Sequence, residues 1–412
     1  MKKCFLAVMI VLAAALAGCQ KKDVTNDNVK IELSNNVIMV NGEPISEDIH
    51  SPVYKANDII FYLEDQGIAY GNGKKTDEHS QAEADAHTVV HITEAGVYEI
   101  SGTMEAGQIF IDLGDGTKDE EDAVVTLVLN GADITCTVAP AILFYRTYEC
   151  AGKVNKKNAS MEVDTSTAGA NIVLAEGSFN KVHGSYVAEI YESCELNEEK
   201  TEMIDSKRLH KYDGAVHSRR SLNITGTGAL EVAAENEGIC SEMHMTIQGG
   251  DIQIKSGNDG INTNKDKVSV FAMNGGNLEI QVTGETGEGD GIDSNGWLVV
   301  NDGTLRSYGC ATSMDSGIDA DKGIYINGGT VIASGNMKAE LAAGKQDSVT
   351  FMIEERMEAG QNYQVKDENE NLIMEAAPGN GFSVLVVSSK EISEEDSCSL
   401  WMNGNLVAES RR

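Results

Sequence analysis

Short runs of alternating apolar and polar residues, cut by glycine, recur along the chain. Alternation with a period of two marks a strand with one buried face. From residue 213 the runs become a repeat. Each unit reads as an acid or serine, glycine, an apolar residue, a polar-small-polar triplet, alternating apolar residues, a glycine turn and a further short strand. The anchor glycines Gly214, Gly238, Gly260, Gly291 and Gly317 are spaced 24, 22, 31 and 26. The second turns, at Gly228, Gly250, Gly276, Gly303 and Gly329, follow at 22, 26, 27 and 26. A propeller blade needs about 40 residues per unit. An irregular period in the twenties, built of strands and glycine turns, predicts an all-β fold, a right-handed parallel β-helix. In that fold Ile, Val and Leu point inward, rungs stack about 4.8 Å apart, and glycine supplies the positive φ of the corners. Weaker rungs are read at 91–104, 106–116, 124–134, 139–145 and 171–184. Residues 114–122 and 191–212 are charged loop insertions, and 337–344 one short helix. After Lys345 the pattern changes to antiparallel strands, a small β cap over the open end of the stack.

The N-terminus adds a compartment. Lys2 and Lys3 precede a 13-residue apolar run, Phe5 to Ala17. That is too short to span a bilayer and the right length for a signal peptide. It closes with Leu16-Ala17-Gly18-Cys19, the pattern of a lipoprotein cleavage site, with Cys19 as the lipidated residue. The expected division is a signal peptide over 1–18, a tether and N-terminal segment over 19–55, the β-helix over 56–345 and the cap over 346–412. The mature protein is then extracytoplasmic, held to the membrane at the cell surface only through the lipid. The cysteines after Cys19 follow no CxxC spacing and read as free thiols packed as small hydrophobes.

Charge narrows the partners. The chain holds 65 Asp and Glu against 32 Lys and Arg, a formal charge of −33. That balance excludes a dedicated nucleic-acid binder, which needs clustered cations, and favours the capture of cations. Hydrophobic residues make 41% and aromatics 5%, so the core is aliphatic.

Aligning rungs on Ile261, Ile292 and Ile318 places Asn262, Asp293 and Asp319 in one column, and Asn264, Asn295 and Asp321 in the next but one. Residues two apart share a strand face, so both columns point outward while the isoleucines and Thr263, Ser294 and Ala320 point in. Asp259, Asp290 and Asp315 sit at the preceding corners. Stacked carboxylates repel unless a cation or solvent lies between them. Oxygen ligands at several angles suit Ca2+. Asp290, Asp293, Asp319 and Asp321 are therefore the candidate calcium ligands, with Asp259 and Asn262 adjoining; turn and ladder residues of a β-helix without an ion are the other reading. Earlier rungs put His217 and Cys240 in the first column and Arg219 and Glu242 in the second, with no third partner for a metal or nucleophile. No residue is singled out as catalytic. For a sugar ligand, which needs a flat aromatic, the candidates are Trp297, whose column otherwise holds Ser221, His244 and Gly323, and then Tyr308 and Tyr325.

The ordered series NGADI (130–134), LAEGSFN (174–180), YDGAVHS (212–218), SGNDGINT (256–263), GDGIDSNG (289–296) and INGGTVIASG (326–335), closing with FSVLVVSS (382–389), resembles the bacterial surface carbohydrate-binding β-helix family. The resemblance covers roughly 85–412. It implies cellulose or acidic-sugar binding and bound calcium on the acidic residues named above, and that family is itself similar to calcium-dependent pectate lyases. Glu237, Cys240 and the 191–212 insertion depart from its pattern. The expected function is calcium-dependent binding of a polysaccharide, uronate-rich or cellulosic, without catalysis. A calcium-dependent polysaccharide lyase and a surface adhesin or scaffold with no glycan role are the alternatives.

Overall fold

The computed structural model describes residues 28–393 and 397–410; the signal peptide and Cys19 lie outside the described residues. The fold is all-β. Its helical content among the described residues is one α-helix, Gln81–Asp85, and two 3-10 turns, Lys75–Asp77 and Thr117–Asp119.

Most strands stack in three parallel ladders. The first runs through Thr88–Ile92, Gly107–Asp112, Ile142–Arg146, Gly214–Ser218, Glu237–Ser241, Ile261–Thr263, Ile292–Ser294 and Ile318–Ala320. The second includes Ala170–Leu174, Leu222–Gly226, Met245–Ile247, Val270–Met273, Trp297–Val300 and Gly323–Ile326. The third includes Phe179–Gly184, Ala229–Ala234, Asp251–Ser256, Asn277–Val282, Thr304–Tyr308 and Thr330–Gly335. Within each repeat the chain visits the first, second and third ladders in turn. Ile239, Ile261, Ile292 and Ile318 are in register, as the repeat predicts, and are fully buried. Leu298, Ile324, Leu305 and Val331 complete the same aliphatic core from the other two ladders.

The anchor glycines are explained by closeness rather than by φ. Gly238, Gly260, Gly291 and Gly317 do not have positive φ. A Cβ on Gly238, Gly260 or Gly291 would lie 2.4, 2.6 or 2.4 Å from the carbonyl oxygen of the next glycine in the column. The positive-φ turn residues are Gly226, Gly250, Gly276, Gly303 and Gly329.

Three further expectations change. Residues 191–212 are not a loop: Val187–Leu196 and Met203–Tyr212 form an antiparallel hairpin. Residues 337–344 form no helix; Leu341 bridges in parallel to Ile324, because the chain continues along the second ladder. Strand pairing also begins ahead of residue 56, since Val29–Leu33 pairs in parallel with Gly96–Met104. After residue 345 the strands are antiparallel, as expected: Ser348–Met357 and Phe382–Ser388 continue from Thr330–Gly335, and Tyr363–Lys366, Leu372–Ala376, Ser399–Met402 and Asn405–Glu409 form a separate sheet.

Phe351, Tyr363, Phe382, Leu385 and Leu400 form a second core under these strands. Asn380 ties that core to the stack. Its buried Nδ2 donates to Val282 O at 2.7 Å, Gly309 O at 2.8 Å and Tyr308 O at 3.2 Å. Replacing it by alanine orphans buried carbonyls. Asn380→Ala is expected to cost about 1–3 kcal/mol, read as a lower urea midpoint.

Candidate functional site

Asn262, Asp293 and Asp319 are in register on the first ladder. The corner carboxylates brace the neighbouring turns. Asp259 accepts from Asp290 N at 2.7 Å, Asp290 from Ser316 N at 2.5 Å, and Asp315 from Gly289 N at 2.7 Å. Asp315 thus serves the turn one position away from the corner that Asp259 and Asp290 share.

The column is short of positive charge. Burial, then the Asp293 carboxylate, pushes Asp259 up to about 7. Burial likewise raises Asp290 to about 8, and burial with Asp319 and Asp321 raises Asp293 to about 6. Asp319 is raised by burial first, while Asp321 is exposed. The 7%-exposed Asn262 donates through Nδ2 to Glu237 Oε1 at 3.1 Å and Asp259 Oδ2 at 3.2 Å. Its Oδ1 is buried without a partner. Among the described residues no three His, Cys, Asp or Glu side chains already converge as a metal site. A buried, unpartnered amide oxygen beside carboxylates that lack counter-charge is still a donor set that fits a hard cation.

The column changes chemistry along the stack. Glu237 is buried and its carboxyl is pushed well above the usual range by burial, then by Asp213 and Asp259; it hydrogen-bonds Cys240 Sγ. His217 is wholly buried, with neither ring nitrogen hydrogen-bonded. Burial, then the charges of Arg219, Lys211 and Arg208, drive its pKa down to about 3, so it is neutral. Earlier rungs place Tyr54, His91 and Phe110 in the same column, Tyr54 stacked on His91 at 4.4 Å. These rings sit in the weaker rungs, where sequence periodicity is least regular.

The second ladder carries a groove of about 700 Å³. Its floor is the column Thr246, Ala272, Val299, Tyr325, in register over four strands. Along one edge runs a chain of amides. Asn274 Nδ2 donates to Gln248 Oε1 at 3.2 Å, Asn301 to Asn274 at 2.7 Å and Asn327 to Asn301 at 2.8 Å. One wall is the segment 161–166, from the loop that follows Ile142–Arg146, and the other is 343–345. Thr165, which is buried, ties the loop down by donating to Thr246 Oγ1 at 2.7 Å. The loop has no periodicity, so sequence reasoning missed this wall; the Asn or Gln that precedes the second turns at Gly250, Gly276, Gly303 and Gly329 was the available signal for the groove.

Of the three aromatic candidates, Tyr325 lines the groove. Trp297 is half-buried, two residues from Val299 and so on the same face, with Lys322 Nζ 4.3 Å from its ring centroid. Tyr308 is 3% exposed, packed in the core of the C-terminal strands. The structure therefore places Trp297 and Tyr325 on one face of the second ladder, on neighbouring strands, and sets Tyr308 apart on the third.

Stacked parallel strands, an amide-edged groove and a carboxylate column define a repeat protein with an extended polar face. Residues 86–373 match the model of the carbohydrate-binding domain-containing protein family, and the chain belongs to that family. A carbohydrate-binding domain-containing protein of Acetivibrio thermocellus is 28% identical over 190 residues, 46% of this chain and 52% of that one. The chain thus spans about half the length of that curated relative. A solved structure, a gadolinium derivative of the polysaccharide lyase-like protein from C. thermocellum, aligns at 20% identity over 77% of this chain and 96% of that one, with a TM-score of 0.40.

Proposed function

We propose that the protein binds a polysaccharide, without catalysis, laid across the rungs in the groove of the second ladder. The observation that carries this reading is the groove floor itself. It repeats at the strand spacing, about 4.8 Å; all four rungs offer an amide, and the last three set it beside an apolar or aromatic side chain, Ala272, Val299 and Tyr325. A periodic polymer with hydroxyl edges and C–H faces needs that pairing: amides both donate and accept, and Val299 and Tyr325 cover apolar sugar faces. Family membership supports the same ligand class. Trp297 extends the platform along the strand that carries Val299.

The acid column is read as the calcium site, held by Asp259, Asp290, Asp293, Asp319 and Asp321 with Asn262 Oδ1. Ca2+ there would neutralise the repulsion between successive rungs and stiffen the face that the polymer meets. The ladders are read as a right-handed parallel β-helix over 56–345 closed by the 346–412 cap. The chain is read as a lipoprotein with its signal peptide at 1–18, anchored at the cell surface through Cys19. A uronate-rich or cellulosic polymer is the expected partner.

Tyr325→Ala and Asn301→Ala test the placement. Both side chains are at the surface, so the fold is expected to persist, checked by an unchanged melting temperature. Retardation of Tyr325→Ala in gels containing a neutral polysaccharide is expected to weaken about tenfold. Wild-type retardation in both variants would sink the groove as the binding site.

A further inference from the structure

Beside the acid column the chain builds a cleft of opposite sign. It encloses about 690 Å³ and continues into a smaller recess through Val154, Glu242 and Lys265. Seven cationic side chains and three carboxylates line the two. The whole chain has half as many cations as acids, so composition alone would give the reverse.

The cations converge from five separate segments. Lys118 comes from the turn Thr117–Asp119. Lys156 comes from the loop that also walls the groove, and Arg208 and Lys211 from the strand Met203–Tyr212 of the inserted hairpin. Arg219 and Arg220 follow Gly214–Ser218, and Lys265 follows Ile261–Thr263. Their neutralisation is incomplete. Lys156 pairs with Asp266, and Lys211 with Asp213 at 2.9 Å. Arg208 reaches Glu242 only at 3.7 Å. Lys265 has no ion pair among the described residues. Glu149, which also lines the recess, is turned to Ser221, accepting from its N at 2.9 Å and its Oγ at 2.7 Å. Arg220 Nε is buried with no partner. Burial first, and then the charges of Arg219, Lys211 and Arg208 in this cleft, lowers the pKa of the neighbouring His217.

We infer that this cleft is an anion subsite, which takes an oxyanion carried by the bound polymer through direct hydrogen bonds from Arg208, Arg220 and Lys265, with no bridging cation. The inference rests on the polysaccharide-binding reading. Guanidinium forks match the two oxygens of a carboxylate or of a sulfate or phosphate ester, and charge-assisted bonds in a recess are the strong ones. The cleft also gives a protein of net charge −33 one place where an anionic ligand is attracted rather than repelled.

The test is affinity electrophoresis of the full chain in EDTA, with polygalacturonate, dextran sulfate or neutral dextran and xylan in the gel. It compares the wild type with the double variant Arg208→Ala/Lys265→Ala, whose side chains are exposed enough to leave the fold intact. Retardation by an anionic polymer in EDTA is expected, weakened about tenfold or more in the double variant and by raised salt, with neutral-polymer binding unchanged. Polygalacturonate alone would identify the oxyanion as a carboxylate, and dextran sulfate alone as an ester. Loss of all anionic binding in EDTA, or equal binding by the variant, would overturn the inference while retardation by a neutral polymer still stood. No retardation in any gel would overturn both this inference and the binding reading.

Discussion

In EDTA the protein is expected to lose stability steadily from pH 4 to pH 8, and Ca2+ is expected to restore it at pH 8 but not at pH 5. The carboxyls of Asp293, Asp259 and Asp290 are pushed up to about 6, 7 and 8, chiefly by burial. A carboxyl whose folded value lies above its unfolded one, about 4, stabilises the fold fully below pH 4. That contribution is lost as pH rises through the folded values, because ionisation leaves uncompensated charge between stacked rungs. A cation bound to the ionised column reverses the sign: it stabilises only where protons no longer compete. With Ca2+ at 100 times its dissociation constant the gain is about 2.7 kcal/mol, a rise in melting temperature of roughly 3 °C for a chain of this length. Scanning calorimetry at pH 5 and pH 8, each with EDTA or Ca2+, reads both arms. Equal melting temperatures with and without Ca2+ at pH 8 would remove calcium from the acid column. Asp293→Asn should abolish most of the calcium response and make the EDTA curve flatter.

The second large effect is steric. Gly291→Ala would place a methyl 2.0 Å from Ser307 Oγ and 2.4 Å from Gly317 O. The serine can rotate away, but the carbonyl belongs to the backbone of the adjacent rung, whose position is set by the pairing of Ile292 with Ile318. The rungs must part where the isoleucine column is fully buried. The expected cost is about 3 kcal/mol or more, read as a lower denaturant midpoint. Gly287→Ala, at a turn with φ of 95° and open space around its Cβ, should cost only about 1 kcal/mol. If the two variants proved equally stable, close stacking would not be the reason for the anchor glycines.

The first ladder was legible because the isoleucine, the Asn or Asp after it and the small residue after that recur at one strand position each, and the observed register matches them. The reason for the glycine before them was not legible. Closeness and positive φ leave the same mark in a sequence, and only the observed backbone separates them. The hairpin Val187–Leu196 and Met203–Tyr212 was hidden because its outward charges mask the alternation. Tyr308 alternates outward from Leu305 and Ser307, so its sequence position reads as surface. It is buried because the C-terminal strands fold over that part of the third ladder, which no local pattern announces. The acid column was read from spacing alone. The groove wall at 161–166 and the cation cleft were not, since they join segments that share no repeat. Charge summed over the whole chain pointed only toward cations and concealed the cleft.

The central claim, that this chain holds a polysaccharide, is tested most directly by affinity electrophoresis of residues 20–412 through gels containing pectate, cellulose derivatives, xylan or no polymer, each with Ca2+ or EDTA. Retardation by at least one polymer relative to the polymer-free gel is the predicted result, strengthened by Ca2+ where the acid column stiffens the binding face. Equal mobility in every gel would contradict it and leave a surface scaffold as the better account.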